Sequence, residues 1–450
     1  MKKYDVVVIG SGPGGYVSAI RAAQLGKKVA IVERDKIGGS CLNVGCIPSK
    51  ILLKFGEIVE DIKKANHWGI KANDVSIDVE KLMQRKDKVM EALTMGIDSL
   101  LKKNKVTLYE GDAQVRDDLT VTIGNENIKG NDILLATGST PFVPSIKGLD
   151  KIDYMTTDTF FNMKELPKSL CIIGGGVISV ELATAMAALG TKVTIVEVAE
   201  DILLTEDATA RKVVKNHLAK QKIDIFTAAN ITEIKRGEVL LKEKTISFND
   251  LLVATGRRPV TKLAQDLKLK MDETGKFVTV NDRYETSKQH VYAVGDLISG
   301  PQLAHAASAE GLVAVHAMAK KQHNKVGQLD IPRCVYTFPE IASIGLSEEQ
   351  AKEAGYDVQV VQSSFNGNGK AMSAGETDGF VKIISETKYQ EILGAVVVGG
   401  NATELISSIV GVKYAEGTVM ELAHMIWPHP TLSEAIGESA NALFGQAIHM

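Results

Sequence analysis

The sequence predicts an α/β protein in which one strand–turn–helix–strand unit occurs twice and a smaller α+β domain follows. Two observations predict the repeat: an apolar strand runs into a glycine-rich turn near residue 10 and again near residue 174, and each turn is followed by a strand that ends on glutamate. A third observation predicts the last domain, because short strands alternate with helices from about residue 331 onward. A chain of 450 residues is also too long for one hydrophobic core.

The two copies keep the same internal spacing. The interval from the first glycine to the glutamate is 23 residues in both copies. The first copy, "YDVVVIGSGPGG" followed by "KKVAIVE", contains Gly10, Gly12, Gly14, Gly15 and Glu33. The second copy, "SLCIIGGGVISVE" followed by "TKVTIVE", contains Gly174, Gly176, Ser179, Glu181 and Glu197.

Each copy is closed by a further strand and a glycine, "DILLATGSTP" with Gly138 and "DLLVATGRRP" with Gly256. The first copy is longer, and we expect its additional residues mainly around the first two cysteines and in the charged helical segment 51–104. Beyond the second copy, "HVYAVGD" predicts a strand that ends at Asp296, and "LAHAASAEGLVAVHAMAKK" predicts a helix. No low-complexity linker separates these parts, so we expect packed domains.

This spacing is that of the dinucleotide-binding fingerprint. The first glycine makes the tight turn, the second lets a pyrophosphate approach a helix N-terminus, and the acid binds a ribose hydroxyl. We therefore predict two Rossmann-like dinucleotide-binding domains. Ser179 replaces the third glycine, which serves helix–strand packing, and a serine is small enough for that place. Glu197 is followed by Val198 and Ala199, without an arginine for a 2′-phosphate, so NAD is favoured over NADP.

Composition excludes several classes of protein. A net charge of −3 offers no basic field, so we expect no nucleic-acid partner. Four cysteines argue against a secreted, disulfide-rich scaffold; Cys171 begins an apolar strand and is expected in the core, and Cys334 has no second thiol near it. The N-terminal apolar run is short and leads into a glycine motif, and the apolar segment 170–190 is interrupted by Glu181. We expect a cytoplasmic protein with no membrane partner.

Two cysteines lie five positions apart in "GGSCLNVGCIPSK". A zinc site needs a second ligand pair, and none lies near in sequence; a structural disulfide is disfavoured in a reducing cytoplasm. Two inert buried thiols stay open as an alternative to a reactive pair. Pro48 suits the first turn of a helix, so the thiolate of Cys46 would be stabilised by a helix N-terminus. Lys50 lies on the same helical face and adds positive charge. We predict that Cys41 and Cys46 form a redox-active disulfide beside a dinucleotide.

The segment "WPHPTLSEAIGE" offers a base for such chemistry. Only a thiolate attacks a disulfide, so a dithiol substrate needs a base that works near pH 7, and histidine suits that role. His429 precedes Pro430, which we expect to open a helix. Glu434 is placed to bond the far ring nitrogen of the histidine. Taken alone, such a pair at a helix start is more often a cap or a surface pair.

Together these segments resemble the flavin-dependent pyridine nucleotide–disulfide oxidoreductases over the whole chain, and most closely the members that oxidise dihydrolipoyl groups. The cysteine segment is similar to the redox-site signature of that family, with Ser40 where threonine is usual, and "HPTLSE" is similar to its His–Glu signature. "GGGVISVE", "ATGRRP" and "VYAVGD" are similar to its nucleotide-site segments. One departure is Trp427-Pro428-His429, where the family usually has His-Ala-His, and we expect it to make the substrate entrance bulkier and stiffer.

The resemblance implies FAD on the first glycine motif, NAD on the second, no metal, and a homodimer. For FAD it implies contacts from Gly10, Gly12, Gly14, Gly15, Glu33 (adenosine ribose), Ser40 (pyrophosphate), Lys50 (near the flavin ring, paired with Glu181), Gly111, Gly138, Asp296 (ribityl chain) and Ala304. For NAD it implies Gly174, Gly176, Glu181, Glu197, Ile231 and Gly256. For catalysis it implies that Cys46 faces the flavin, Cys41 exchanges with the substrate, and His429 of the other subunit, oriented by Glu434, is the base.

The resemblance also implies the domain limits and the reaction. Residues 1–143 would bind FAD and carry the redox disulfide, 144–263 would bind NAD, 264–330 would complete the FAD site, and 331–450 would form the α+β dimerisation domain. The substrate would be a dihydrolipoyl group on the carrier domain of a 2-oxoacid dehydrogenase complex or of a glycine cleavage system. The alternatives are a related flavin disulfide reductase with another small disulfide substrate and a catalytically silent flavoprotein subunit. A mercuric-type reductase would need a C-terminal cysteine pair, but the chain ends "GQAIHM".

Overall fold

A computed structural model of the chain describes residues 1–72 and 75–449. The strands are β1 (Lys2–Ile9), β2 (Val29–Glu33), β3 (Thr107–Glu110), β4 (Ala113–Val115), β5 (Thr120–Ile123), β6 (Glu126–Leu135), β7 (Ser139–Pro141), β8 (Met155–Thr156), β9 (Ser169–Ile173), β10 (Lys192–Val196), β11 (Asp224–Phe226), β12 (Ile231–Lys235), β13 (Glu238–Leu241), β14 (Thr245–Ser247), β15 (Asp250–Val253), β16 (Arg257–Pro259), β17 (Val291–Ala293), β18 (Arg333–Val335), β19 (Glu340–Gly345), β20 (Val358–Ser364), β21 (Phe380–Glu386) and β22 (Ile392–Gly399).

The α-helices are α1 (Pro13–Gln24), α2 (Gly39–Val44), α3 (Cys46–Lys64), α4 (Val79–Lys103), α5 (Thr157–Phe160), α6 (Val177–Ala188), α7 (Ala208–Lys220), α8 (Lys262–Asp266), α9 (Ala304–Met318), α10 (Glu348–Glu353), α11 (Gly369–Ala374), α12 (Ala402–Tyr414), α13 (Val419–His424) and α14 (Glu434–Ala442). None of the helices in the described part of the chain is long and apolar enough to cross a membrane.

The first sheet has parallel strands at its centre in the order β3-β2-β1-β6, and β17 pairs in parallel with the C-terminal end of β6. Strands β5 and β4 continue from the other end of β6 as an antiparallel meander. The run Val6–Val8 in β1 is completely buried, which is what a β-branched run in a parallel sheet covered on both faces requires. The predicted strand at "HVYAVGD" therefore returns to the first sheet, where α9 packs on α1.

The second sheet repeats this arrangement with parallel strands in the order β11-β10-β9-β15-β8. An antiparallel sheet of β12, β13 and β14 follows it, and the pair β7–β16 joins the segments that close the two copies. The predicted repeat is thus present in the fold.

The first copy differs from the second by helices inserted between its second and third strands. Helices α2, α3 and α4 occupy that connection, whereas α7 alone is the α-helix between β10 and β11. Helix α3 packs on α6 of the second copy, where Gly56 lies against Ala185 and Ala188. The additional residues therefore lie in the segments that the sequence predicts. The structure adds that they form the contact between the two copies.

The C-terminal part is an antiparallel sheet in the order β18-β19-β22-β21-β20 with helices packed on it. Its core contains Phe365 and Ile436, both fully buried. A second hydrophobic cluster includes Leu52 of α3, Ile172 of β9 and Val335 of β18. The expectation of packed domains is met, because one core runs through three parts of the chain.

Candidate active site

Both glycine-rich turns end at a helix whose first N–H groups have no side-chain cap. Gly12 is the N-cap residue of α1, and Gly176 is that of α6. A Cβ atom at either position would meet no atom within 4 Å, so the space above both helix N-termini is open. Free N–H groups at the positive end of a helix bind anions. Both turns therefore fit the pyrophosphate of a dinucleotide.

The two closing glutamates are held in the same way. Glu33 accepts a hydrogen bond from the backbone N–H of Ser11 in its turn, at 2.8 Å, and Glu197 accepts one from Gly175, at 2.5 Å. The second oxygen of each carboxylate accepts from the amide two residues further along, at 3.0 and 2.8 Å. The repeat therefore preserves the side-chain geometry of the turn as well as the spacing.

The third glycine position differs between the copies. A Cβ atom at Gly15 would lie 1.9 Å from the carbonyl oxygen of Gly10, so a larger residue does not fit there. Ser179 occupies the equivalent place in the second copy and is completely buried. Its hydroxyl donates to the carbonyl of Ala254 at 3.2 Å, just past the end of β15. A serine is thus accommodated, as predicted.

The cysteine pair spans the junction of two helices. Cys41 lies in α2, Gly45 separates the helices, and Cys46 is the first residue of α3. A Cβ atom at Gly45 would lie 2.9 Å from the carbonyl oxygen of Ser40, so glycine permits this close approach. Cys46 is exposed and Cys41 half-buried, and their thiol groups lie close enough for one to donate to the other.

This contact shifts the pKa values of the two thiols in opposite directions. The hydrogen bond from Cys41 lowers the pKa of Cys46 to about 7; burial opposes that change, and the positive charge of Lys50 supports it. The same hydrogen bond, together with burial, raises the pKa of Cys41 far above its ordinary value. Near neutral pH, about half of Cys46 is therefore thiolate while Cys41 stays protonated, which distinguishes them from two inert thiols.

Lys50 is held by groups from two other parts of the chain. Its Nζ lies 2.9 Å from Oε2 of Glu181, a carboxylate that is only 4% exposed. The backbone N–H of Tyr336 donates to the other oxygen of Glu181 at 2.9 Å, and the tyrosine ring centroid lies 4.2 Å from the lysine Nζ. The structure contains the expected pair of Lys50 and Glu181. Tyr336 was not predicted, because no local pattern marks a residue whose contact is with a helix 155 positions earlier.

Two predicted residues on the FAD side are joined through residues that sequence reasoning missed. Asp296 accepts a hydrogen bond from the Ser139 hydroxyl at 2.5 Å, and that hydroxyl accepts from Nε of Arg257 at 2.7 Å. Another nitrogen of Arg257 reaches Oγ of Ser40 at 3.4 Å. The signal for Arg257 was its position directly after Gly256 in "ATGRRP".

Glu310 is a further acid near this group that was not predicted. It lies on α9, is 2% exposed, and accepts a hydrogen bond from the backbone N–H of Gly295 at 2.7 Å. Burial raises its pKa to about 7; the hydrogen bond opposes the change, and the charge of Asp296 adds to it. An acid among the small and apolar residues of a helix was the available signal.

The other residues predicted to contact FAD lie at the carboxyl ends of the first sheet. Gly111 follows β3, Gly138 follows β6, and Ala304 begins α9. Gly14 lies against Ala307 of α9, since a Cβ atom there would be 3.2 Å from the Ala307 carbonyl oxygen. This edge of an open parallel sheet is where ligands bind.

The residues predicted to contact NAD lie at the same edge of the second sheet. Gly256 follows β15 with a φ of 104°, a conformation that favours glycine. Ile231 begins β12 and packs into a cluster that includes Ile173 and Val196, the last residues of β9 and β10.

His429 and Glu434 form the predicted pair. Nδ1 of His429 lies 2.8 Å from Oε1 of Glu434, and 79% of the histidine side chain is exposed. Since Nδ1 is taken, Nε2 is the nitrogen left for a substrate. The predicted helix start was wrong: α14 begins at Glu434, and Pro430 lies in the turn before it. Thr431 closes that turn, because its N–H donates to Glu434 and its hydroxyl to the Pro428 carbonyl, at 2.8 and 2.7 Å.

The two reactive pairs lie on helices that pack on different elements of the chain. Helix α14 packs on α13, β20 and β21, whereas α2 and α3 pack on each other and on α4, α5 and α6. Cys171 lies completely buried in β9, as expected, and burial raises the pKa of the half-buried Cys334 to about 11. Within residues 1–72 and 75–449, no group of three or more acidic, histidine or cysteine side chains could hold a metal ion.

Comparisons with known proteins identify the family of this chain. Residues 4–311 match the family described as pyridine nucleotide-disulphide oxidoreductase, and residues 331–440 match the dimerisation domain of that family. A curated relative, dihydrolipoyl dehydrogenase from Bacillus subtilis (strain 168), is 39% identical over 472 residues, covering 99% of both chains.

Solved structures share the fold over nearly the whole chain. LpdA from Mycobacterium tuberculosis has a TM-score of 0.91 at 24% identity, covering 98% of this chain and 100% of that one. The Cu(II) complex of RclA, an HOCl-induced flavoprotein disulfide reductase from Escherichia coli, has a TM-score of 0.88 at 28% identity, with the same coverage. With two glycine turns, a reactive cysteine pair and both matched domains in one chain, this protein belongs to the pyridine nucleotide–disulphide oxidoreductases.

Proposed function

We propose that this protein catalyses the dihydrolipoyl dehydrogenase reaction, in which a dihydrolipoyl group is oxidised to lipoyl and NAD⁺ is reduced to NADH. The observation that carries the proposal is the cysteine pair at the N-terminus of α3, beside Lys50. The pKa of Cys46 is lowered to about 7, and the contact with Cys41 is the largest cause. This dithiol lies where the two nucleotide-binding copies meet, because α3 packs on α6. The relative that is 39% identical along the whole chain carries that name.

FAD and NAD are the cofactors of this family, and both turns fit them. FAD would be held at the open N-terminus of α1 by Gly10, Gly12, Gly14 and Gly15, with Glu33, Ser40, Lys50, Gly111, Gly138, Asp296 and Ala304 around it. NAD would be held at α6 by Gly174 and Gly176, with Glu181, Glu197, Ile231 and Gly256. When bound, FAD supplies the two-electron relay between a dithiol and a hydride acceptor that protein side chains cannot provide.

The chain's own residues carry out the thiol–disulfide exchange. One thiol of the dihydrolipoyl group gives its proton to Nε2 of His429, and the resulting thiolate attacks the sulfur of Cys41 in the Cys41–Cys46 disulfide. Cys46 leaves as the thiolate, which its lowered pKa favours. The second substrate thiol then attacks the mixed disulfide and releases Cys41, which takes the proton that this thiol loses. The substrate ends as a lipoyl disulfide, and the protein ends with Cys41 as a thiol, Cys46 as a thiolate and one proton on His429.

The base is proposed to act between subunits. The dimerisation-domain match at residues 331–440 supports a homodimer, and His429 lies within that range. Its high exposure supports a role against the cysteines of the partner subunit, and so does the packing of α14 on elements other than those that α2 and α3 contact. Glu434 would fix the ring, because its carboxylate can accept a hydrogen bond from the Nδ1–H group.

The domain limits 1–143, 144–263, 264–330 and 331–450 belong to the same proposal. So do a lipoylated carrier domain of a 2-oxoacid dehydrogenase complex or a glycine cleavage system as partner, and the cytoplasm as compartment. The full-length similarity to dihydrolipoyl dehydrogenase supports the lipoylated partner.

The test is a reductive titration of the FAD-loaded protein with dihydrolipoamide, glutathione, NADH and NADPH in turn, followed by the flavin absorbance. Dihydrolipoamide and NADH should bleach the flavin, and glutathione and NADPH should not. In Cys41→Ser, NADH should still reduce the flavin while dihydrolipoamide fails. Reduction by NADPH alone, or reduction by dihydrolipoamide that leaves the Cys41–Cys46 disulfide closed to alkylation, would refute the proposal.

A further inference from the structure

Trp427 stands two residues before the base, and its indole is turned into the C-terminal domain. Its Nε1–H donates to the carbonyl of Leu422 in α13 at 3.2 Å. The half-buried ring packs on the core cluster of that domain, which includes Ile436 of α14. The Trp427 side chain, which we expected to make the substrate entrance bulkier, therefore faces the interior of its own domain.

The indole also fixes α14. Gly437 lies one turn after Glu434 on that helix and is buried. A Cβ atom at Gly437 would lie 2.4 Å from Nε1 and 2.5 Å from Cδ1 of Trp427, so the ring occupies the space that any larger residue would need. One side chain thus touches both α13, through its hydrogen bond, and α14, through this contact.

Hydrogen bonds also hold the segment that carries the base on the far side of His429, at Thr431. The Thr431 hydroxyl donates to the Pro428 carbonyl at 2.7 Å, and the Asn368 amide donates to the Thr431 carbonyl at 2.9 Å. His429 itself has one side-chain hydrogen bond, to Glu434, and is otherwise exposed. The position of its ring therefore depends on the backbone around it and on the placing of α14.

We propose that Trp427 is a positioning residue for the base: by packing between α13 and α14 it sets the His429 backbone and the Glu434 carboxylate at one fixed separation. This inference rests on the proposed function, because it assigns His429 its role there. Misplacement of a reacting group by about 1 Å can cost as much as roughly 100-fold in rate. A residue that touches no substrate can therefore matter for the rate.

The first test compares Trp427→Ala and Trp427→Phe with Trp68→Phe in the FAD-loaded protein. Trp68 is the other tryptophan of the chain and lies against Gly375, so it is a matched control. Two rates are measured: dihydrolipoamide to NAD⁺, which needs the base, and NADH to ferricyanide, which needs no dithiol step. In Trp427→Ala the first rate should fall about 10-fold or more in kcat while the second stays within about twofold. Trp427→Phe should lose less, and Trp68→Phe should change neither rate.

The second test uses the contact with Gly437. Gly437→Ala should lower the dihydrolipoamide rate, because its methyl group displaces the indole. The double variant Trp427→Ala/Gly437→Ala should be no slower than Trp427→Ala alone, since the space is then free. An unchanged dihydrolipoamide rate in Trp427→Ala, a proportional loss of both rates, or strictly multiplicative effects of the two substitutions would overturn the inference. A wild-type protein that does not oxidise dihydrolipoamide would instead overturn the proposed function.

Discussion

Replacing Cys41 by alanine should make Cys46 a markedly weaker nucleophile near neutral pH, although Cys46 itself is unchanged. The hydrogen bond from the Cys41 thiol is the largest cause of the lowered pKa of Cys46, ahead of the charge of Lys50. Alanine removes the donor, whereas Cys41→Ser keeps a hydroxyl that can donate to the thiolate. The two variants therefore separate the hydrogen bond from the mere loss of a second thiol.

The expected size follows from the pKa of about 7. At pH 7 about half of Cys46 is then thiolate. If the alanine variant returned the thiol fully to its ordinary pKa of roughly 8.5, about 3% would be thiolate at that pH, a loss of about 15-fold. Because Lys50 remains, we expect a midpoint nearer 8, which corresponds to a loss of about fivefold. The serine variant should lose less than the alanine variant.

The assay is the rate of iodoacetamide alkylation of Cys46 between pH 5 and 9, read by mass spectrometry of the peptide that contains it. The protein is used with FAD bound, and the peptides of Cys171 and Cys334 serve as internal references. The midpoint of the rate should move upward in the order wild-type dithiol, Cys41→Ser, Cys41→Ala. An alanine variant with the wild-type midpoint would show that the contact between the thiols does not control the reactivity of Cys46.

Four further variants test the remaining parts of the site. Gly12→Ala should fold but bind FAD weakly, because its Cβ would meet no protein atom and would lie where the pyrophosphate approaches. Gly15→Ala should fail to fold, since its Cβ would lie 1.9 Å from a carbonyl oxygen. FAD titration and melting curves distinguish the two variants. Glu310→Gln should stabilise the protein above pH 7 by up to about 3 kcal/mol. The raised pKa of Glu310 means that the wild type loses stability as the pH rises from about 4 through about 7. In pH-dependent melting curves the gain should therefore vanish near pH 4. Glu197→Ala with Val198→Arg should lower kcat/KM for NAD⁺ about 10-fold or more and raise it for NADP⁺, measured by steady-state kinetics. The carboxylate for the ribose hydroxyl is lost, and the arginine at the exposed position 198 can bind a 2′-phosphate.

The parts of the fold that sequence could predict are those that depend on local patterns. Strand, turn and acid recur at one spacing because a dinucleotide requires them at that spacing, so both copies were visible. Cys46 at a helix start and Lys50 one turn later follow from Pro48 and from the helical period of 3.6 residues. These features need no knowledge of how distant segments pack.

The parts that sequence could not predict are contacts between distant segments or competitions among local hydrogen bonds. Arg257 meets Ser40 across 217 positions of chain, and only the packing of the two copies decides that. The start of α14 was misplaced because proline favours a helix start in general, whereas here Thr431 gives its N–H and its hydroxyl to partners that close a separate turn. The inward orientation of the Trp427 ring depends on the space beside Gly437, and no local sequence pattern predicts that contact.

The second copy takes part in the redox chemistry although it carries neither of the reactive cysteines. Glu181 lies on α6, seven residues after Gly174, and the equivalent place in the first copy is Val17. A carboxylate buried in so apolar a helix costs several kcal/mol unless it is paired, so Glu181 needs both Lys50 and the N–H of Tyr336. Those partners come from the first copy and from the C-terminal domain. The lysine held by this contact is also the cation that lowers the pKa of Cys46. The reactivity of the thiolate therefore depends on the assembly of all three parts. Any change that moves β18 away from α6 should alter the pKa of Cys46 before it alters either glycine turn.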